Sequence, residues 1–493
     1  MLKKIYITTA IAYVNGDPHI GHTLEFILAD CAARYQCLKG NEVFFVTGTD
    51  ENSLKNVLAA EKKSVSVKQL VDENSLKFKK LLDILNIKVS DFIRTTEQRH
   101  IEGVKKFWQA ARNDIYQGEY QGLYCVGCED FVKEEDLING LCPNHNSKPE
   151  LIAEKNYFFK LSKYQRQLEE VYQSNLIQIV PGSRKPDVEI FLKLGLKDFS
   201  SSRSRERAHN WGIPVPFDDS QVIYVWFDAL CNYITVLGYA TNSPIYRAWW
   251  EDNSTEIWHF IGKDISKFHC IYWPAMLLAA SVRLPNKIVI HGFITVDGAK
   301  MSKTLGNFID PFDLVNQFGV DAVRYYFLRE FSLAQDGDLV INNLKERYNK
   351  ELANGLGNLL NRIVALIEKQ GGKIRIESNL LAEEIKEAWN KYDEAMVEFK
   401  FNQGAESFLQ LISKADAFIN QTRIWAVEDV EKKNEILSSL WLVLANLADM
   451  TYPYLPEKSL RIKESLGIVD KTTNFFGREF TVKKLPPLFP RIN

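Results

Sequence analysis

Apolar residues recur along this chain in two periods. Lys3-Lys4-Ile5-Tyr6-Ile7-Thr8-Thr9-Ala10 is rich in β-branched and aromatic residues, which predicts a buried strand over 3–10. A turn-rich stretch follows, Tyr13-Val14-Asn15-Gly16-Asp17-Pro18. Residues 19–38 then carry apolar positions at helical spacing and stop before Gly40. Residues 42–48 (EVFFVTG) predict a second buried strand. Residues 66–86 predict an amphipathic helix, with Val67, Leu70, Val71, Leu76, Phe78, Leu81, Leu82 and Leu85 mostly on one side. Strands alternating with helices predict a parallel sheet with right-handed crossovers. The alternation breaks near 115, and 115–200 reads as short strands and turns. It resumes at 221–226 (QVIYVW), 256–262 (EIWHFIG) and 287–292 (KIVIHG). Beyond 342 the spacing is helical, over 343–370, 380–399, 402–424 and 433–450. The prediction is therefore α/β. A doubly wound sheet in two halves, 1–114 and 216–295, is split by an insertion at 115–215. A connecting region at 296–342 leads to an all-α bundle at 343–493.

Length agrees with this division, since 493 residues exceed the ~250–300 that one core sustains. The 46% hydrophobic share is enough to fill more than one core. A formal net charge of −2 excludes a purely electrostatic nucleic-acid binder, but leaves room for one basic face on a neutral whole. No apolar run reaches the ~18 residues that span a bilayer. Met1-Leu2-Lys3-Lys4 leads directly into a strand without a cleavage-site pattern, so no signal peptide and a cytoplasmic place are expected. Of seven cysteines, Cys125, Cys128 and Cys142 cluster, while Cys31, Cys37, Cys231 and Cys270 are scattered among apolar residues. That distribution suggests a reducing compartment and a metal site rather than a disulfide framework. Cys125-Val-Gly-Cys128 and Cys142-Pro-Asn-His145 give three thiolates and an imidazole at knuckle spacing, a closed tetrahedral structural Zn²⁺ site.

Two short motifs carry chemistry. Pro18-His19-Ile20-Gly21-His22 follows a strand and opens a helix, where free backbone N–H groups and the helix dipole favour an anion. His19 and His22 are three apart and share a face, and Gly21 lets a nucleotide approach the backbone. The two imidazoles suit charge developing on an α-phosphate; the alternative is a helix start that they cap. Lys300-Met301-Ser302-Lys303-Thr304 follows two β-like segments on a Gly-bounded loop. Its two lysines suit a pyrophosphate leaving group on a closing loop; the alternative is a solvated turn.

The order and spacing of these motifs resemble those of class I aminoacyl-tRNA synthetases over nearly the whole chain. That resemblance implies a Rossmann-type catalytic domain split by a connective insertion with the zinc knuckle, followed by a helical anticodon-binding bundle. Within the class, Thr9-Ala10-Ile11-Ala12-Tyr13-Val14-Asn15-Gly16, Val225-Trp226-Phe227-Asp228-Ala229-Leu230 with Tyr233, and His259-Phe260-Ile261-Gly262-Lys263-Asp264-Ile265 are similar to the methionyl-tRNA synthetases. Phe268-His269 and Trp273-Pro274-Ala275-Met276-Leu277 fit the same family. The resemblance implies a methionine pocket of Ile11, Tyr13, Trp226, Ala229, Tyr233, Phe268, His269 and Trp273. Aromatic edges suit a polarisable thioether, and Tyr13 and Tyr233 offer hydroxyls. Any one of these aromatics could equally be core packing.

By the same resemblance Asp50 holds the substrate ammonium. Gly21, Gly262, Asp264, His291 and Lys303 bind ATP with its Mg²⁺. His19, His22, Lys300 and Lys303 stabilise phosphate charge. Asn354, Asn358 and Trp425 meet the anticodon, Trp425 either stacking on a base or packing between helices. The chain departs from the family at Thr304, usually serine, and at Asn52-Ser53, usually His-Gly; the latter weakens any role there. Methionine, ATP and tRNA(Met) are the implied substrates. A monomer is expected from the lack of the family's extra C-terminal domain. A synthetase for cysteine, leucine or valine and a non-catalytic tRNA-binding paralogue are the rival readings.

Overall fold

The computed structural model describes residues 2–125, 127, 130–143, 146–301, 307–469 and 474–492. The chain divides into two compact units. One comprises Met1–Glu25, Asn41–Asp83 and Lys88–Ile290, the other Phe26–Gly40, Ile84–Ile87 and His291–Asn493.

The first unit is built on a parallel sheet. Its early strands are β1 (Lys4–Thr9), β2 (Ala12–Tyr13), β3 (Glu42–Asp50) and β4 (Asp91–Arg94). The strand order is β2-β3-β1, then Thr255–Gly262, Lys287–His291 and Gln178–Val180, with β4 also paired to β3. Central β1 is covered on both faces, as a parallel strand must be: Ile5, Tyr6, Ile7, Thr8 and Thr9 are all buried. Its helices include α2 (Leu54–Lys63), α3 (Val67–Ile84) and α4 (Gln98–Ala111), while α1 (Ile20–Leu38) starts in this unit and from Phe26 onward belongs to the other. On α3 the predicted stripe holds except at Leu76, which is exposed. Asn74 and Ser75 turn inward instead. The Asn74 amide donates to the Val14 carbonyl, and Ser75 Oγ lies 3.2 Å from Thr49 Oγ1.

Two expectations need correction. The run 221–226 does not rejoin the parallel sheet. Its strand is Asp218–Ile223, antiparallel to Ser202–Ser204 and Pro214–Val215, and Val225 already opens the helix Val225–Leu230. A short continuous apolar run carries no period that separates these outcomes. The region 115–200 is also more regular than short strands and turns. Ile115–Cys125 and Glu150–Phe159 form a long antiparallel pair. Helices Gln165–Gln173 and Lys185–Lys193 follow, and between them Gln178–Val180 joins the parallel sheet beside Lys287–His291.

The second unit contains a three-stranded sheet of Ile294–Val296, Ala299–Lys300 and Gly337–Leu339. Its helices include Val320–Glu330, Ile341–Arg347, Asn358–Glu368, Ala382–Val397, Phe401–Thr422, Val430–Thr451 and Pro456–Ser465. A wide π-helical segment, Tyr348–Gly357, links two of them. Inside this unit Asp30 Oδ2 accepts from Arg34 Nε and from an Arg324 terminal nitrogen, each at 2.6 Å. Arg324 also donates to the carbonyls of Leu85 and Pro453, and Arg34 to Asn86. No helix among the described residues is long and apolar enough to cross a membrane.

Candidate active site

The site is assembled where ligands of open parallel sheets collect, beyond the carboxyl ends of the strands. After β1 the chain runs through Ile11 and Tyr13 to the start of α1. There the Gly21 N–H donates to His19 Nδ1 at 3.1 Å, and the His19 N–H to His22 Nδ1 at 3.2 Å. The rings stack with centroids 3.8 Å apart, and His22 meets the face of Phe78 edge-on. Burial lowers the pKa of His19 to about 4. A neutral ring whose Nδ1 accepts keeps its proton on Nε2. The histidines thus cap the helix with one nitrogen and retain an N–H donor on the other. A Cβ at Gly21 would stand 3.0 Å from His19 Cε1, close enough that the ring would have to give by a few tenths of an ångström.

The predicted methionine-site residues all belong to the first unit, and the structure links most of them directly. Trp226 stacks on Phe268 at 3.8 Å with rings 2° from parallel, and Tyr13 and His269 meet Trp226 edge-on. Tyr233 Oη is 2.6 Å from His269 Nε2. His269 Nδ1 lies 3.0 Å from the Ile265 carbonyl, which can only accept. The Tyr233 hydroxyl therefore donates to His269 and is not available as a donor to sulfur. Burial holds His269 near a pKa of about 4 and raises that of Tyr233, so both are neutral. Trp273 packs on Tyr233, and Ala229 is buried on the same short helix as Trp226. Ile11 and Tyr13 are half-buried. Trp226 Nε1 is buried with no hydrogen-bond partner among the described residues.

Asp50 ends β3, paired with Tyr13 and almost fully buried. The residues after it are tightly held. Glu51 is fully buried and receives Arg94 Nε at 2.6 Å, and its carbonyl accepts from Trp211 Nε1. Asn52 donates to Asp228, and Ser53 caps α2 by accepting from the Lys55 N–H. The departure from His-Gly at these positions is thus filled with local contacts.

Gly262 closes the strand Thr255–Gly262, and Asp264 is exposed in the following 3-10 turn. His291 is buried at the end of Lys287–His291. Lys300 is exposed on Ala299–Lys300, its carbonyl accepting from Asn307, while Lys303 and Thr304 lie outside the described residues. Of the metal set, Cys125 and Cys142 are both buried against one segment. Cys125 Sγ is 3.7 Å from Ser147 Oγ, and the Cys142 N–H donates to the Ser147 carbonyl. Cys128 and His145 lie outside the described residues, among which no group of three metal-ligating side chains occurs. In the second unit Asn354 and Asn358 are exposed, and Arg491 Nε donates to Asn354 Oδ1 at 2.9 Å. Trp425 is 61% exposed, which removes the helix-packing alternative for it.

Several buried residues that pack around these side chains had no role assigned from the sequence. His259 is buried within its strand, 2.7 Å from Thr8 Oγ1, accepts from Trp273 Nε1 and stacks under Tyr233 at 4.2 Å. His100 and Arg203 are likewise buried. Arg203 packs on Tyr224, the neighbour of Val225, at 4.3 Å. Single buried histidines and arginines leave no spacing signal; only the contacts identify them.

The chain was compared with known proteins. The family model described as tRNA synthetases class I (M) matches residues 5–150 and 132–364. The methionine–tRNA ligase of Nostoc is 41% identical over 486 residues, covering 94% of this chain and 90% of that protein. That of Rickettsia felis is 40% identical over 483 residues, covering 95% and 93%. The solved structure of Mycobacterium tuberculosis methionyl-tRNA synthetase in complex with methionyl-adenylate matches with a TM-score of 0.93 at 33% identity, over 99% of this chain and 100% of that one. With the fold, both units and the sequence in agreement, this chain belongs to the methionine–tRNA ligases of the class I tRNA synthetases.

Proposed function

We propose that this chain joins L-methionine to ATP, releasing pyrophosphate, and passes the methionyl group from the adenylate to the 3′-terminal adenosine of tRNA(Met). The observation that carries the amino-acid assignment is the Trp226–Phe268–Tyr233–His269 wall. Tyr233 and His269 bond to each other and to the Ile265 carbonyl, Trp226 Nε1 has no partner among the described residues, and burial keeps the titratable groups neutral. A neutral, aromatic wall favours a thioether over a charged side chain. Ile11, Tyr13, Ala229 and Trp273 complete the pocket, with Asp50 pairing the ammonium.

In the activation step the methionine carboxylate oxygen attacks the α-phosphorus, and the bond to the bridging oxygen of pyrophosphate breaks. His19 and His22 donate from Nε2 to the phosphate oxygens as charge accumulates, and Lys300 and Lys303 neutralise the leaving pyrophosphate. Gly21, Gly262, Asp264 and His291 hold the nucleotide, which arrives with Mg²⁺. In the second step a ribose hydroxyl of the terminal adenosine attacks the activated carbonyl and AMP leaves. Asn354, Asn358 and Trp425 read the anticodon in the helical region 343–493. Cys125, Cys128, Cys142 and His145 hold a structural Zn²⁺ in the insertion 115–215. The two described cysteines, both buried beside Ser147, fit that role. We take the working form to be a cytoplasmic monomer.

The test is ATP–pyrophosphate exchange with each amino acid in turn. Exchange that depends on methionine is the expected result. Exchange with another amino acid, or tRNA binding without exchange, overturns the assignment.

A further inference from the structure

One glycine brings α4 against the short helices that carry the aromatic wall. A Cβ on Gly103 would stand 2.4 Å from Thr235 Cγ2, closer than any real contact. One turn earlier, His100 therefore reaches both helices at once. Its Nε2 is 2.6 Å from Asp228 Oδ1 on Val225–Leu230, and its Nδ1 is 2.7 Å from Thr235 Oγ1 on Asn232–Thr235. Thr235 Oγ1 also lies 3.3 Å from the Asn232 carbonyl, one turn back on its own helix. The carboxylate only accepts, so the His100 Nε2–H donates to Asp228, and Nδ1 pairs with the Thr235 hydroxyl. The other Asp228 oxygen accepts from Asn52 Nδ2 at 2.8 Å, and the Asn52 amide also donates to the Thr95 carbonyl at 3.2 Å. His100, Asp228 and Thr235 are fully buried.

The sequence positions give this network its meaning. Asp228 falls between Trp226 and Ala229, Thr235 lies two residues beyond Tyr233, and Asn52 lies two beyond Asp50. A buried polar network whose members are hydrogen-bonded fixes where its elements stand. We infer that His100 is a positioning residue for amino-acid selection. By gripping Asp228 and Thr235, and through Asp228 the Asn52 amide, it sets the spacing between Asp50 and the Trp226–Ala229–Tyr233 wall. The site thereby measures the length of an unbranched side chain from its ammonium. This rests on the methionine site proposed above.

The experiment is pyrophosphate exchange with methionine, its shorter homologue homocysteine and its longer homologue ethionine. It is run on the parent chain and on His100→Ala, Thr235→Val and Asn52→Ala. The expected result for His100→Ala and Thr235→Val is a methionine KM raised about tenfold, with kcat lowered less than threefold and the KM for ATP unchanged. The preference for methionine over ethionine narrows about tenfold, and Asn52→Ala shifts the same way by less. Valine keeps the shape of threonine, so Thr235→Val decides the matter if His100→Ala fails to fold. Unchanged methionine KM and selectivity in folded Thr235→Val overturn the inference, as does an equal rise in both KM values. Absence of methionine-dependent exchange in the parent chain is a different result and overturns the methionine reading itself.

Discussion

His19 and His269 are held neutral by burial, each near a pKa of about 4 against an ordinary value of 6.5. Between those values the unfolded chain binds protons that the folded chain refuses. Stability is therefore full above pH 6.5 and falls as the pH drops toward 4. For fully buried His269 the loss approaches roughly 3 kcal/mol at the bottom of that window. Urea unfolding followed from pH 7 to 4.5 checks the sign; a midpoint that rises on acidification contradicts it. Tyr233 makes a second case. Replacing it with phenylalanine leaves His269 Nε2 buried without its donor, at a cost of about 1–3 kcal/mol. Methionine KM should rise about tenfold, as 1.4 kcal/mol implies, with ATP binding unaffected in exchange kinetics. Much of this site was legible in the residues: the strand–turn–helix setting of His19-Ile20-Gly21-His22 and the aromatic run from Trp226 to Trp273 pointed to it. What stayed hidden was direction. The donor role of Tyr233 is fixed by the Ile265 carbonyl, a backbone group no side-chain pattern announces.

At the scale of elements, the helical spacing of 19–38, 66–86 and the C-terminal run anticipated α1, α3 and most bundle helices, because amphipathic periods over many residues are strong signals. The strand Asp218–Ile223 was misplaced because alternation says nothing about which sheet a strand joins. The part Arg324 plays in the Asp30–Arg34–Arg324 cluster was equally invisible, because it reaches the i,i+4 pair on α1 from a distant segment. Arg324 and Asp30 are almost fully buried, so Arg324→Ala leaves the buried Asp30 carboxylate with Arg34 as its one remaining arginine in the cluster. Loss of one partner from such a pair costs about 3–5 kcal/mol. A fall in the urea midpoint of that size, with an unchanged slope, is the expected outcome. The hairpin Ile115–Cys125/Glu150–Phe159 supports a metal prediction. Elemental analysis should find one zinc per chain, and a chelator should lower the melting temperature by several degrees. Serine at Cys125 and Cys142 together should abolish both effects; metal content that survives the double substitution refutes the assignment.

On the scale of the whole molecule, a net charge of −2 leaves RNA binding to local surface rather than to the overall field. The division into two compact units, neither continuous in sequence, shows that the chain is not a string of separable parts. The strand Gln178–Val180 sharpens that point. It lies within 115–215, which the sequence reads as an insertion, yet it pairs with Lys287–His291 in the central parallel sheet. The insertion is therefore not a cassette. Excising 115–215 to obtain a minimal enzyme would bare the main-chain donors and acceptors of Lys287–His291 along an apolar strand whose middle residues are fully buried. Exposed edges of that kind recruit other chains. A chain shortened in this way should elute as aggregates in size-exclusion chromatography, whereas one that removes only 126–149 and keeps the edge strand should remain dispersed. Residues 115–215 thus supply a strand to the sheet that the sequence reads them as interrupting, and trimming the protein must follow hydrogen bonds rather than motif boundaries.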